Sequence, residues 1–227
     1  MIFTPTEIKF LATYEKGEVS AILMRPEAAI HLLVLGHGAS SNMRTPMLAT
    51  IAENLAEQGI ATFRYNFPYS EKGGGRNSQD VCIATIRSAV KAAKAHCPDL
   101  PILAGGHSFS GRMTSTAQSE LPIDGVKGLI FFSFPLHPAG EPATKRAEHL
   151  SAIDIPMLFL SGTRDALAEL DLLEPVVKNL GKRATLHLVD TADHSFKTLK
   201  RTRNSDEDVF AEMARVTPQW LRAETRL

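Results

Sequence analysis

Along this chain, short continuous apolar runs alternate with longer segments whose apolar residues recur at helical spacing. The runs Ile30–Leu35, Ala61–Tyr65, Pro101–Ala104, Gly128–Phe132, Pro156–Leu160 and Thr185–Val189 predict strands covered on both faces, as in a parallel sheet. Glu7–Leu11 and Ser20–Met24 add two strands at the start, expected to be antiparallel. Between the runs, Leu48, Ile51 and Leu55 share one helical face, bracketed by Thr45-Pro46 as cap and first-turn proline and by Gly59 as terminator. Cys82, Ile86, Ala89, Val90 and Ala93 mark a helix over Ser78–Ala95. Leu170, Leu173, Val177 and Leu180 mark another before Gly181, with Pro175 expected to bend it. Ser205–Leu221 reads as a closing helix carrying Val209, Met213, Val216 and Trp220, its last turn disturbed by Pro218. Strands alternating with helices predict right-handed crossovers and an α/β fold: one mostly parallel, doubly wound sheet of about eight strands flanked by helices. In such a sheet, chemistry belongs beyond the carboxyl ends of the strands.

Composition narrows the possibilities. The 227 residues are expected to form one domain spanning 1–227, with ample chain for a large core. Basic and acidic residues balance at 25 each, so no global field selects nucleic acid or a membrane surface. No apolar run approaches membrane-spanning length, and Met1–Phe10 lacks the charged and apolar regions of a secretory leader. With only Cys82 and Cys97, a disulfide framework is not expected and a cytoplasmic location is. Neither cysteine has metal-like spacing, and there is no phosphate- or dinucleotide-binding glycine loop. Metal- and cofactor-independent chemistry is the economical expectation.

The candidate chemistry begins at Gly105-Gly106-His107-Ser108-Phe109-Ser110-Gly111, directly after a predicted strand. This is nearly the G-x-S-x-G turn that lifts a serine hydroxyl out at the end of a sheet, with Ser110 in place of the last glycine. A free serine is a poor nucleophile, so Ser108 needs a base and an orienting acid. Of the eight histidines, His194 in Ala192-Asp193-His194-Ser195-Phe196 lies just past the last strand and can shuttle a proton near neutral pH. Asp165, in Gly162-Thr163-Arg164-Asp165, follows the preceding strand and can orient the imidazole. It could instead cap the next helix. Asp193 is the rival acid by proximity, and Asp154 falls at the wrong end of its strand. Backbone amides should stabilise the developing oxyanion: Phe109, after the nucleophile, and Ala39, in the loop Gly36-His37-Gly38-Ala39-Ser40-Ser41-Asn42.

These phrases, in the order Ser108, Asp165, His194, resemble the α/β-hydrolase superfamily. More narrowly the chain is similar to its small lidless members related to dienelactone hydrolases. Within them it is most similar to the family of testis-expressed and histone-acetyltransferase-complex relatives. Phe63-Arg64-Tyr65-Asn66-Phe67-Pro68-Tyr69 and Phe134-Pro135-Leu136-His137-Pro138 carry the resemblance further. It implies Ser108 as nucleophile, Asp165 as acid, His194 as base, and the amides of Ala39 and Phe109 at the oxyanion hole.

The stretch between Phe134 and Pro156 is too short for a helical cap domain, so an open, shallow site is expected. Its walls are expected from Asn66, Phe67 and Tyr69 on one side and Phe134, Leu136 and His137 on the other, residues that could equally serve packing. Lys197, Lys200, Arg201 and Arg203 beyond His194 are either a solvated loop or a contact for an anion. The leading reading is a serine hydrolase of a small carboxylic ester or thioester. The alternative is a non-catalytic interaction module that keeps the fold, for which a complete set of Ser108, Asp165 and His194 has no use.

Overall fold

Every predicted strand joins one sheet in a computed structural model that describes residues 4–224. In chain order the elements are β1 (Thr6–Thr13), β2 (Gly17–Met24), β3 (His31–Gly36), α1 (Pro46–Glu57), β4 (Ile60–Tyr65), α2 (Pro68–Lys72), α3 (Gln79–His96) and β5 (Ile102–His107). There follow α4 (Phe109–Glu120), β6 (Val126–Phe132), β7 (Met157–Gly162), α5 (Leu170–Leu180), β8 (Ala184–Val189) and α6 (Val209–Ala223), with 3₁₀ turns at Lys145–Ala152 and Gly181–Arg183. The strand order is β1-β2-β4-β3-β5-β6-β7-β8. β2 is antiparallel to both β1 and β4, and every later pairing is parallel. Only β2 therefore runs against the rest.

The period-two alternation of each strand divides the core between two faces. On β3, Leu33 and Leu35 pack with Leu48, Ile51 and Leu55 of α1 and with Met213, Trp220 and Leu221 of α6. Leu32 and Val34 face the other way, toward Ile86 and Ala89 of α3, Met113 of α4 and Leu173 of α5. No cap domain covers the carboxyl ends of the strands; the stretch between β6 and β7 holds only the 3₁₀ turn at Lys145–Ala152.

Three boundaries differ from expectation for physical reasons. β5 runs on to His107, because Gly105 and Gly106 stay in the strand instead of opening a turn. They are glycines for proximity: a Cβ on Gly105 would lie 1.9 Å from the Ile130 carbonyl oxygen on β6. α6 starts at Val209, not Ser205, because the Asp208 carboxylate accepts hydrogen bonds from the Phe210 and Ala211 amides. Pro218 does not end that helix, which continues to Ala223 with the ring buried. Thr45 holds the cap position of α1, yet its hydroxyl makes no capping bond. Proline at the first helical position supplies the start.

Candidate active site

Ser108 stands at the tip of the β5–α4 turn with φ 51° and ψ −110°, a conformation that side chains other than glycine rarely adopt. Holding a residue there costs on the order of 1–3 kcal/mol, so the surroundings must over-determine it. They do: the Ser108 amide donates to the Phe132 carbonyl at the end of β6 (2.9 Å), and the Arg112 amide donates to the Ser108 carbonyl (3.2 Å). Ser110 fits because Gly36 and Gly106 leave it room. A Cβ on Gly106 would meet its Oγ at 2.2 Å, and one on Gly36 would lie 2.5 Å from its Cβ. The Ser110 hydroxyl donates back to the His107 carbonyl (3.1 Å).

His194 Nε2 lies 2.8 Å from Ser108 Oγ, and His194 Nδ1 lies 2.8 and 2.9 Å from the two Asp165 carboxylate oxygens. The Asp165 side chain is fully buried, whereas that of His194 keeps one edge toward solvent. Asp165 also accepts from the Leu167 amide (2.8 Å), a local Asx-type turn and not a helix cap, since α5 begins only at Leu170 with Glu169 at its cap position. The rival Asp193 faces its own loop, accepting from the Ser195 and Lys197 amides. That Asx-type turn presents His194, and buried Phe196 behind it pins the loop.

The acid and base loops are laced together. The Thr163 amide donates to the Val189 carbonyl (3.1 Å), the Arg164 amide to the Ala192 carbonyl (2.9 Å), the Thr191 amide to the Thr163 hydroxyl (2.8 Å), and the Arg164 guanidinium to the Thr191 carbonyl (3.1 Å). Gly162 permits this contact, since a Cβ there would lie 2.2 Å from the Ala192 oxygen. His107 adds a further tie, its Nε2 donating to the His194 carbonyl at 3.0 Å. Thr163, Arg164 and His107 were not singled out from the sequence; their only signal was adjacency to Asp165 and Ser108.

The Ala39 and Phe109 amides lie on the loops expected for them. Among the described residues neither amide has a protein acceptor, in keeping with the orphan donors of a loop and a first helical turn. His37 braces the Ala39 loop: its Nδ1 donates to the Gly38 carbonyl (2.8 Å), and its Nε2 accepts from the Phe67 amide (3.2 Å). This pattern requires the neutral ring, and burial depresses the His37 pKa to about 4. Burial likewise holds His107 at about 4.

Two cavities flank the Ala39–Ser41 segment, which lines both. One, of about 430 Å³, contains Ser108 and His194 with Met47, Pro46, His107 and Lys197 in its walls. The other, of about 380 Å³, is bounded by Tyr69, Ser70, Gly73, Gly74 and Arg76. Of the six expected wall residues only Tyr69 reaches either cavity. Phe67, Phe134, Leu136 and His137 are buried behind the site. His137 meets the Glu169 carboxylate there. Asn66 braces the loop instead, accepting from the Met43 amide (2.9 Å) and donating to Glu71 (2.8 Å). The missed lining comes from the β3–α1 loop (Ser40 and Ser41), where small polar residues gave no chemical cue, and from the first turn of α1 (Pro46 and Met47). Of the basic cluster, Lys197 lines the serine cavity, whereas Arg203 is buried against Glu212. Among the described residues no group of three His, Cys, Asp or Glu side chains is placed to hold a metal ion, and no helix is long and apolar enough to cross a membrane.

With a strand-turn-helix serine, a loop histidine and a loop aspartate in contact at the carboxyl edge of a doubly wound sheet, residues 29–222 match the alpha/beta hydrolase domain family, and the chain belongs to it. Solved structures agree in fold. A dienelactone hydrolase from Anabaena variabilis is 18% identical with a TM-score of 0.73, covering 96% of this chain and 98% of its own. XC6422 from Xanthomonas campestris, described as a serine hydrolase without a lid, is 17% identical with a TM-score of 0.72, over 98% and 96% of the two chains. Est1E from Butyrivibrio proteoclasticus, solved with ferulic acid bound, is 17% identical with a TM-score of 0.71, over 91% and 96%. The narrower likeness to testis-expressed relatives rests on the sequence phrases alone.

Proposed function

We propose that this protein is a serine hydrolase of carboxylic esters or thioesters, working through Ser108, His194 and Asp165. The observation that carries this reading is the unbroken hydrogen-bonded path from the Asp165 carboxylate through His194 to the hydroxyl of a conformationally strained Ser108. Ser108 Oγ attacks the substrate carbonyl as His194 Nε2 accepts its proton. Negative charge develops on the carbonyl oxygen, which the Ala39 and Phe109 amides receive. Collapse expels the alcohol or thiol, which takes the proton from His194 and leaves an acyl ester on Ser108. Water then repeats the sequence in reverse roles and frees the acid. Asp165 holds the Nδ1–H tautomer and stabilises the imidazolium. Similarly folded proteins described as an esterase domain and a serine hydrolase support the reaction class. The buried free thiols of Cys82 and Cys97 suit a reducing cytoplasm.

The test is labelling by a fluorophosphonate probe, followed by a panel of p-nitrophenyl esters and acyl thioesters of increasing chain length. Wild type is expected to label and to turn over at least one panel member. Ser108→Ala is expected to do neither, with turnover down by about a millionfold as in triad knockouts generally. A folded wild-type protein that neither labels nor hydrolyses any ester or thioester overturns the reading.

A further inference from the structure

Phe109, whose amide is assigned to the oxyanion, has guanidinium groups against its ring. Arg76 lies 5.3 Å and Arg112 5.9 Å from the ring centroid. Arg112 is one turn beyond Ser108 on α4, and Arg76 rims the cavity that shares Ala39, Ser40 and Ser41 with the serine cavity. The charge of Arg146, from the 3₁₀ turn before β7, also acts to lower the Arg112 pKa. Among the described residues none of these three guanidiniums pairs with a carboxylate, although seven lysine or arginine ion pairs form elsewhere.

This is an expensive arrangement for a fold to maintain. Arg112 is half-buried, and burial together with Arg146 and Arg76 pulls its pKa below the ordinary arginine value. The neighbouring acid is a thiol, Cys82, which burial pushes up to about 11 despite both arginines, so it offers no counter-charge near neutrality. Stacking on Phe109 offsets only part of that cost. Two or three convergent cations without an anion are completed by an oxyanion ligand, for which the planar guanidinium fork is suited.

We propose, building on the hydrolase reading, that the substrate carries a carboxylate or phosphate group that Arg76 and Arg112 hold on the Phe109 side of the nucleophile. The ester carbonyl then sits at Ser108 with its anionic end across the Ala39–Ser41 segment, and the uncharged remainder extends toward Met47 and Pro46. Arg76 and Arg112 act on specificity, and the proton-transfer groups stay as described.

The decisive measurement is a selectivity ratio. Values of kcat/KM are taken for the p-nitrophenyl monoester of adipic acid and for the same compound with its free carboxyl methylated. Wild type is expected to favour the anion at least tenfold. Arg76→Gln, an exposed position at which folding is not at stake, and Arg112→Gln are each expected to cut that ratio at least fivefold. Arg112→Lys should restore part of it. Adipate and butyl phosphate, used as competitive inhibitors and titrated calorimetrically into wild type, tell a carboxylate from a phosphate requirement by which binds more tightly. The proposal is overturned if wild type hydrolyses both esters without preference, if neither anion binds, or if Lys197→Gln abolishes the preference while the arginine variants keep it. Should wild type hydrolyse no ester at all, the hydrolase reading fails by itself, and the calorimetric arm still reads the arginine site.

Discussion

The two flanks of Ser108 are built by opposite rules. On the His194 flank the central groups are paired: carboxylate to imidazole, imidazole to hydroxyl, and two loops stitched by amide and side-chain bonds. On the Phe109 flank, Arg76 and Arg112 lie against one aromatic ring with no carboxylate partner among the described residues, beside a loop of three successive glycines, Gly73–Gly75, around which a Cβ would meet nothing within 4 Å. Saturated pairing fixes geometry, which proton transfer demands. Unsatisfied charge leaves interaction energy for a ligand, which selectivity demands. The division is what the proposed chemistry would require, because orientation errors are costly where bonds break and tolerable where a charge is only recognised.

The comparison breaks most sharply at Asp165. Asp165→Asn keeps the shape and still offers an oxygen to the Leu167 amide, but it favours the wrong His194 tautomer. A fall in kcat of about ten-thousandfold is expected, with melting temperature little changed. A loss below tenfold in steady-state ester assays shows that the acid is not in the reaction path.

Acid titration gives the next largest effect. His37, His107 and His149 are all held neutral by burial, with pKa values of about 4. An unfolded chain binds protons at these residues from about pH 6.5, whereas the fold refuses them until about pH 4. Unfolded protein therefore takes up more protons across that window, and stability must fall as pH drops through it, levelling off below. Melting temperatures measured from pH 7 to pH 4 should decline steadily. His149→Gln, remote from the proton path, should flatten the slope, and an unchanged slope rules out its share. Protonating His37 also turns its Nε2 from acceptor to donor, so the Phe67 amide loses its partner and the Ala39 loop its brace.

Ser110→Gly is the mildest perturbation. It restores the usual elbow sequence while removing the bond to the His107 carbonyl. A loss of about 1 kcal/mol is expected for glycine in a helical turn, with kcat/KM within about threefold. A larger fall in turnover than in urea midpoint assigns Ser110 to the His107–His194 tie.

The same contrast explains what could be read from the residues alone. Strand positions were legible because six short runs such as Leu32–Leu35 are apolar on both faces. Ser108, Asp165 and His194 were legible as residues because each follows such a run. Their neighbours were not: Thr163, Arg164 and His107 act through backbone carbonyls two loops away, and hydrogen bonds of that kind leave no composition or period. Walls were misplaced for a related reason. Phe67, Phe134 and Leu136 are large and apolar, and the fold spent them on its interior. Small residues of the β3–α1 loop, Gly38 to Ser41, invisible to a hydrophobic reading, line the cavity instead, with Pro46 and Met47 from the first turn of α1. The arginines escaped notice because they lie on separate segments, Arg76 ahead of α3, Arg112 within α4 and Arg146 in the turn before β7.

Interlocking of the acid and base segments also bears on how this edge of the sheet breathes. Since Thr163, Arg164, Thr191 and Ala192 share one set of bonds, neither segment can swing out by itself without stripping partners from the other. Opening there is all-or-none, a single cooperative event. Loss of either segment's bonds would therefore displace Asp165 and His194 together, not one at a time.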